Sequence, residues 1–361
     1  MSTPDIPSSA GREMTYAEAI RDAFAVALEI DPELHMLGLG VPDPKGFFGT
    51  TSNLGHDYGF DRVLDMPCAE AGMTGIALGS ALGGLPTVIN HQRLDFALLG
   101  IDALCTQAAK WSYMFGGQTR LPLVIRAIIG RGWGQGPQHS QSLHSWFAHI
   151  PGLKVVMPST PHDAKGMLIA AIEDGNPVVF LEHRWLHHLK GFVPGGHYNV
   201  PIGSARLARY GEHITIAAIS YMVIEALDAA EQLAKEGVSV EVIDVRSLRP
   251  LDRDMVSNSV SKTGHLVVAD GAWAAAGMAA EIITAAIETS FSSLRSAPRR
   301  VCFPDCPTPT SPPLAAAFYP RSGHIVAAVR NALQMPPNAS DFNFPTNVEL
   351  DKPNPAFTGP F

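Results

Sequence analysis

Short apolar runs alternate with longer amphipathic segments along most of this chain. Residues 121–129 have the length and the branched side chains of a buried strand, although Arg126 interrupts the run. Residues 15–18, with the sequence TYAE, have the form of a capping box that opens a helix. Strands that alternate with helices in this way predict a mainly parallel sheet with both faces covered.

The periodicity assigns most of the chain to individual elements. The predicted strands are residues 34–39, 63–66, 87–90, 121–129, 154–157, 178–182, 213–219, 239–245, 265–269 and 300–303. The predicted helices are residues 15–28, 71–82, 95–115, 160–174, 223–235, 252–262, 278–289 and 323–333. Residues 130–136, which are rich in glycine, are predicted to form a loop.

A segment rich in glycine and proline, residues 191–211, breaks the alternation before it restarts. We therefore predict an α/β protein with two open, mainly parallel domains, residues 14–190 and 212–334, joined by 191–211 as a linker. The length of 361 residues agrees with two domains. Recurrent prolines in residues 335–361 predict an extended tail that is ordered only by docking.

Composition excludes several classes of protein. The net charge of −8, with no long run of either sign, argues against nucleic-acid binding. No apolar stretch approaches the length of about 20 residues that a membrane crossing needs, and residues 1–12 lack the features of a secretory signal. We expect a cytoplasmic protein with its four cysteines reduced. Apolar residues make up 46% of the chain, which leaves surface for burial against a partner.

Four glycines recur on the predicted helix 71–82 and just beyond it. Gly72, Gly75, Gly79 and Gly83 are spaced by three, four and four residues, so they share one helix face. Each costs about 1 kcal/mol relative to alanine, and close approach of another helix or of a ligand would offset that cost. A contact inside one domain and a contact between subunits explain the spacing equally well.

Glu70 stands directly before this helix and after a predicted strand. It therefore lies at the carboxyl end of a parallel strand, where open α/β sheets bind ligands. Small and apolar neighbours disfavour a charged carboxylate, which suits a group that transfers protons. The simpler interpretation is a carboxylate that stabilises a helix N-terminus, and the residues alone favour it.

His139 follows the glycine-rich loop within the polar group Gln138-His139-Ser140-Gln141. A histidine there has the chemistry of an acid, a base or a hydrogen-bond donor near neutral pH, although a lone histidine is more often structural. His139, His144 and His149 recur every five residues, which is about 140° on a helix, so they do not face one metal ion. The phosphate-binding glycine loops of nucleotide enzymes are absent.

Further motifs stand in a fixed order along the chain. They are Glu70-Ala71-Gly72, Ile101-Asp102 with Ala108-Ala109-Lys110, Met114-Phe115-Gly116-Gly117-Gln118, Gln138-His139-Ser140-Gln141, and the segments 151–156, 163–166, 176–179, 246–252 and 306–309. From about Met14 to Leu333 the chain resembles the beta subunit of the thiamine-diphosphate-dependent first component of 2-oxo acid dehydrogenase complexes of the pyruvate and branched-chain type. The resemblance implies a pyrimidine-binding transketolase-like domain followed by a transketolase C-terminal-like domain.

The resemblance implies roles for individual residues. The residue that matches Glu70 hydrogen-bonds N1′ of the cofactor's aminopyrimidine and so promotes loss of the thiazolium C2 proton. The match to His139 lies near the reacting carbon and assists proton handling or acyl transfer. Cofactor contacts are expected at Gln92, Leu94 and Phe96. Potassium is expected on backbone carbonyls at Leu123, Ala171, Ile172, Asp174 and Asn176.

The resemblance also implies partners. The Gly-Asp-Gly motif by which thiamine enzymes hold magnesium and the diphosphate is missing, since Asp270-Gly271 is not preceded by glycine. Relatives obtain that half of the site from an alpha subunit in an α2β2 heterotetramer. This favours a subunit contact for the glycine face. A lipoyl-bearing acyltransferase component is the expected second partner.

The segment between Asn90 and Phe96 departs from pyruvate-type relatives, which are mostly apolar or aromatic there. His91, Arg93 and Asp95 indicate a polar or anionic substrate, although Arg93 and Asp95 would also satisfy each other as an ion pair. We expect a hydroxylated or otherwise polar 2-oxo acid. A ketol transferase of the transketolase or deoxyxylulose-phosphate-synthase type, split over two chains, is the alternative. A catalytically idle partner chain is a third, and the presence of Glu70 and His139 argues against it.

Overall fold

The computed structural model describes residues 11–132 and 134–336. Within them the chain forms two units, the first comprising residues 11–129 and 146–202 and the second residues 130–145 and 203–336. The segment predicted as a linker is thus divided, since residues 191–202 belong to the first unit and residues 203–211 to the second. Most of the predicted tail, 335–361, lies outside the described residues.

The first unit contains strands β1 to β8 and helices α1 to α7, except that the first two residues of α6, His144 and Ser145, belong to the second unit. The strands are β1 (Arg12–Thr15), β2 (His35–Gly38), β3 (Val63–Asp65), β4 (Thr87–His91), β5 (Leu123–Ile129), β6 (Lys154–Val156), β7 (Val178–His183) and β8 (Lys190–Val193). The helices are α1 (Tyr16–Ile30), α2 (Leu54–Tyr58), α3 (Glu70–Leu82), α4 (Leu94–Ala97), α5 (Ala109–Met114), α6 (His144–His149) and α7 (Pro161–Glu173).

The sheet of the first unit runs in the order β6-β7-β5-β4-β2-β3, and each neighbouring pair is parallel. Every side chain of β5 is buried, as the apolar run predicted. β1 and β8 form a separate antiparallel pair that joins Arg12 to Val193. Parallel strands with covered faces place their carboxyl ends at one edge, which is where α/β sheets bind ligands.

Local signals locate the helix starts of the first unit. The capping box at Thr15 is confirmed, because its hydroxyl accepts from the Glu18 amide while Glu18 accepts from the Thr15 amide. Thr160 likewise accepts from the Asp163 amide at the start of α7. The predicted helix 71–82 is α3, which begins one residue earlier at Glu70.

The single long helix predicted at 95–115 is wrong. The segment is helical but its hydrogen-bond pattern changes, from α4 to a 3₁₀ turn at Leu98–Gly100, a π-helix at Ala103–Ala108 and then α5. Gly100 lies so close to Thr74 that a Cβ on it would approach the threonine hydroxyl to 2.4 Å. Packing against α3 therefore sets the path of this segment more than its apolar periodicity does.

The second unit contains strands β9 to β14 and helices α8 to α12. The strands are β9 (Arg206–Arg209), β10 (Ile214–Ala218), β11 (Val240–Asp244), β12 (Ser247–Arg249), β13 (Leu266–Trp273) and β14 (Arg299–Phe303). The helices are α8 (Met222–Ala234), α9 (Arg253–Thr263), α10 (Met278–Ser290), α11 (Pro312–Phe318) and α12 (Ser322–Ala332). A five-stranded sheet has the order β14-β13-β10-β11-β9, with only β9 antiparallel.

The two units together confirm the predicted fold class, two mainly parallel α/β domains. In the second unit β10, β11 and β13 contribute buried valines, isoleucines and alanines, against which the apolar faces of α8 and α12 pack. None of the helices in the described part of the chain has the length and apolar character of a membrane crossing.

Candidate active site

Glu70 is the first residue of α3 and is half-buried. α3 follows β3 and packs against β4 and α4, so Glu70 belongs to a helix that lies against the strand and helix carrying residues 91–96. Its carboxylate lies 3.9 Å from the thiol of Cys68, which is a weak donor. Among the described residues no stronger donor engages the carboxylate, which suits a group that binds a ligand nitrogen.

Residues 91–96 leave the carboxyl end of β4 and enter α4. His91 and Leu94 are buried, whereas Gln92 and Phe96 are exposed. Gln92 donates to the Leu39 carbonyl at 3.0 Å. Of the three expected cofactor contacts, Phe96 and Gln92 thus present accessible side chains, and Leu94 contributes to the apolar layer beneath them.

His91 is 3% exposed, and neither ring nitrogen has a hydrogen-bond partner among the described residues. Burial lowers the pKa of this imidazole to about 4. A neutral, buried imidazole with two unsatisfied nitrogens carries an energetic cost. A ligand group or a water that bonds to it would remove that cost.

Arg93 and Asp95 are also buried, on the same short segment. The Arg93 guanidinium lies 5.7 Å from the centre of the Phe48 ring, and the Arg184 guanidinium approaches the same ring to 4.4 Å. Burial lowers the pKa of Arg184 to about 10, although Glu182 opposes the shift. The carboxyl end of the first sheet therefore concentrates buried cationic side chains.

A buried network that the sequence did not predict lies under these residues. Arg126 on β5 forms an ion pair with Glu182 on β7 and donates to Asn90 at 3.1 Å and to Thr50 at 2.7 Å. Glu182 also contacts His187 at 3.1 Å. Burial opposes ionisation of Glu182, but Arg126 and His187 hold its pKa below the usual range. The available signal was the arginine inside an apolar strand.

His139 lies in the second unit, within residues 130–145. The residue is half-buried, and its backbone amide donates to the Gly136 carbonyl at 3.2 Å. His144 and Asp270, which the sequence did not single out as a pair, approach to 3.0 Å in the same unit. Glu70 and residues 91–96 thus belong to one unit and His139 to the other.

The residues expected to hold potassium lie at the end of α7 and the start of β5. Ala171, Ile172 and Asp174 are in or just after the last turn of α7, where carbonyls lack intrahelical partners and attract cations. The Asn176 amide donates to the Asp174 carbonyl at 3.3 Å, and Lys154 pairs with the Asp174 carboxylate. The described residues contain no cluster of three or more His, Cys, Asp or Glu side chains suited to a metal ion.

Comparison with known proteins assigns both α/β units to transketolase domains. Residues 12–188 match the transketolase pyrimidine-binding domain and residues 203–325 the transketolase C-terminal domain. The chain belongs to the family of beta subunits of thiamine-diphosphate-dependent 2-oxo acid and acetoin dehydrogenases.

Two relatives illustrate the family. The beta subunit of acetoin:2,6-dichlorophenolindophenol oxidoreductase from Cupriavidus necator is 41% identical over 333 residues, 90% of this chain and 98% of that one. The mitochondrial pyruvate dehydrogenase E1 component subunit beta-2 of Oryza sativa subsp. japonica is 40% identical over 329 residues, 90% and 88% of the two chains.

A solved structure shares the fold. A split-gene transketolase, described as an inactive beta4 tetramer, superimposes with a TM-score of 0.70 at 22% identity over 89% of this chain and 99% of that one. The predicted resemblance is confirmed.

Proposed function

We propose that this chain, with an alpha subunit, catalyses the oxidative decarboxylation of a polar 2-oxo acid and transfers the acyl group to lipoamide. The observation that carries the proposal is Glu70, a half-buried carboxylate at the start of α3, on a helix packed against β4 and α4. The membership of the chain in its family supplies the reaction class. The cytoplasm stays the expected location.

Glu70 has one task in this proposal. Its carboxyl group hydrogen-bonds to N1′ of the pyrimidine ring and controls the proton at that nitrogen. When bound, thiamine diphosphate supplies a thiazolium ring that accepts the electrons left behind as carbon dioxide departs. Phe96 offers accessible apolar surface to the pyrimidine ring, Leu94 supports the segment from the core, and Gln92 adds a polar group at its accessible edge.

His139 handles a proton on the substrate side of the reaction or assists acyl transfer to the lipoyl group. Its half-buried imidazole has the chemistry for both tasks near neutral pH. The alpha subunit holds magnesium and the diphosphate. Potassium at Leu123 and at the end of α7 is a structural ion in this proposal.

Accessible apolar surface supports an alpha subunit as partner. Gly75 and Gly79 have no atom within 4 Å of the position of an added Cβ, so the described chain leaves the glycine face of α3 open. Ile76, Leu99, Tyr113, Met114 and Phe115 are large apolar residues with exposed side chains in the same unit. A surface of this kind is typical of a protein interface. A lipoyl-bearing acyltransferase would receive the acyl group.

Buried His91 and Arg93 support a polar substrate. A buried imidazole and a buried guanidinium beside the expected cofactor site bind hydroxyl or anionic groups better than an alkyl chain. The same two residues also favour a second candidate, ketol transfer between sugars, because that reaction requires the same carboxylate and a polar pocket. Acetoin is a further substrate to test, since two relatives, 41% and 36% identical, carry it in their names.

The proposal is tested by co-expressing the chain with its alpha subunit and measuring cofactor binding by calorimetry. We expect the pair to bind thiamine diphosphate with magnesium and the chain alone to bind weakly. Reduction of 2,6-dichlorophenolindophenol should follow addition of hydroxylated 2-oxo acids, with pyruvate, branched 2-oxo acids and acetoin as comparisons. Transfer of a two-carbon unit between sugar phosphates without dye reduction would favour ketol transfer.

Glu70→Gln is the decisive variant. Glutamine keeps the shape of the side chain, so the pair should still bind the cofactor, but turnover should fall by about 10² or more because proton control at N1′ is lost. Glu18→Gln, at the exposed capping box of α1, serves as the control and should leave turnover unchanged. Full activity of Glu70→Gln would contradict the mechanism.

A further inference from the structure

We propose that the buried contact between His144 and Asp270 positions the loop that carries His139. The His139 loop comprises residues 134–145, all of them in the second unit. The inference rests on the proposed function, because it gives His139 a task in catalysis. His144 and Asp270 are positioning residues here, acting on His139 through the loop.

The His139 loop is buried on both sides of a short accessible tip. Gly136 is buried, Pro137 and Gln138 are exposed, His139 is half-buried, and the chain is buried again at Ser140. Burial resumes fully over Ser142, Leu143 and His144. We call the accessible residues 137–139 the tip and the buried residues on either side of them the base. His139 is the last residue of the tip.

The base is held on one side by the contact between His144 and Asp270. The His144 imidazole Nε2 lies 3.0 Å from Asp270 Oδ1, and the two side chains are 1% and 0% exposed. Among the described residues neither carboxylate oxygen of Asp270 and neither ring nitrogen of His144 has a hydrogen-bond partner, so this approach is the main polar contact of both side chains. Buried polar groups are costly unless they compensate each other.

Asp270 stands on a rigid part of the sheet. It belongs to β13, which pairs with β10 on one side and β14 on the other. The register of β13 against β14 shifts between Ala269 and Trp273. An irregularity of this kind redirects side chains, and Asp270 lies within it, so the strand presents the carboxylate to the His139 loop.

A second contact holds the other side of the tip. A Cβ added to Gly136 would lie 2.1 Å from the Thr310 hydroxyl oxygen, so the loop backbone touches the segment after β14. Arg131, buried in the approach to the loop, donates to the Thr310 carbonyl at 2.7 Å. The three residues 137–139 are thus held between two attachments to the second unit.

A displacement of about 1 Å of a catalytic group costs up to about 10² in rate. Loss of either side chain releases one side of the tip and leaves the other polar group buried without compensation. His144→Ala and Asp270→Asn should therefore disorder the loop. His144→Gln should retain its position, because the glutamine Nε2 can occupy the place of the imidazole Nε2.

Hydrogen exchange measured by mass spectrometry tests the predicted order of the His139 loop in these variants. The full-length chain is used, alone and in complex with the alpha subunit. We expect amides of residues 136–145 to exchange at least about tenfold faster in His144→Ala and Asp270→Asn and near the wild-type rate in His144→Gln. Glu241→Gln is the control for lost stability, because it weakens the partly buried pair of Glu241 on β11 with Lys262 on α9.

If the amides of residues 136–145 exchange equally fast in Asp270→Asn and Glu241→Gln, the proposal is overturned. Asp270→Asn provides the test on its own if His144→Ala does not fold. In the paired enzyme, kcat should fall by about tenfold to a hundredfold in Asp270→Asn while KM stays within about twofold. The proposal would also be overturned if the loop of Asp270→Asn exchanged faster while its kcat stayed unchanged. Absence of wild-type turnover would count against the proposed function alone, since the exchange data still report on the loop.

Discussion

Arg126 and Glu182 form an ion pair across the adjacent parallel strands β5 and β7, and neither side chain is exposed to solvent. The Arg126 guanidinium also lies 4.9 Å from the centre of the Phe47 ring and 5.5 Å from that of Phe24. Hydrogen bonds to Asn90 and Thr50 complete its contacts. The pair thus lies beside β4, the strand that carries His91, in the same sheet.

Arg126→Met should destabilise the chain by about 3–5 kcal/mol, because it leaves the Glu182 carboxylate buried without its main partner. The double variant with Glu182→Met should recover part of that loss, since no unpaired charge remains. Urea unfolding followed by circular dichroism measures both. Arg21→Met, at the partly exposed pair with Asp57, should cost at most about 1 kcal/mol. A double variant no more stable than Arg126→Met would contradict this account.

The pKa of His91, lowered by burial to about 4, makes stability depend on pH. The unfolded imidazole titrates near 6.5, so between about 6.5 and 4 the unfolded chain holds a proton that the folded chain does not. The stability that neutral His91 contributes is fully present above about pH 6.5 and is lost as the pH falls towards 4. The loss amounts to about 3 kcal/mol over that range.

His91→Phe should remove this component, because phenylalanine has a similar shape and no titration. Unfolding free energies measured from pH 7 to pH 4.5 should therefore fall less steeply in this variant than in the wild type. His56→Gln is the control, since the His56 side chain is 86% exposed. Parallel pH profiles of the unfolding free energy for His91→Phe and the wild type would show that burial does not lower the pKa of His91.

Local chemistry made much of the fold predictable. Capping residues such as Thr15 and Thr160 act on amides two or three residues away, so the sequence shows them directly. The pair of β1 and β8 was not predictable, because Arg12 finds its partner at Val193 through the tertiary structure. Short, partly exposed strands also lack a strong apolar signal.

Those site residues that lie in a recognisable sequence motif could be predicted. Glu70 was located by its position after a strand, which the structure bears out for β3, whereas residues 91–96 were singled out by the resemblance to pyruvate-type relatives. Contacts between distant residues were not predictable. Arg126 is conspicuous inside an apolar run, but its partner Glu182 becomes evident only when β5 and β7 are adjacent. The same holds for His144 and Asp270, which are far apart in the chain.

Gly75→Leu tests the glycine face of α3. In the chain alone the leucine meets no atom within 4 Å of its Cβ, and replacing a helical glycine should stabilise the helix by up to about 1 kcal/mol. In the complex the same side chain would collide with an alpha subunit packed against this face, so assembly should be lost. Co-purification and size-exclusion chromatography with light scattering measure assembly.

Thr284→Leu on the exposed side of α10 is the control for adding an apolar side chain to a helix surface, and it should leave assembly intact. An undiminished yield of the complex with Gly75→Leu would place the interface elsewhere.

Arg93→Ala tests the polar substrate. A buried guanidinium that bonds to a hydroxyl or anionic group contributes about 1.5–3 kcal/mol, so kcat/KM for a hydroxylated 2-oxo acid should fall by about tenfold to a hundredfold. Turnover of pyruvate, whose side chain is a methyl group without a hydroxyl or a further charge, should change less. Phe48→Leu removes the ring on which Arg93 lies at 5.7 Å but leaves the guanidinium, and it serves as the control for altered packing. Efficient pyruvate turnover together with an unchanged kcat/KM of Arg93→Ala for the hydroxylated 2-oxo acid would refute a polar substrate, because the buried cation would then have no part in substrate recognition.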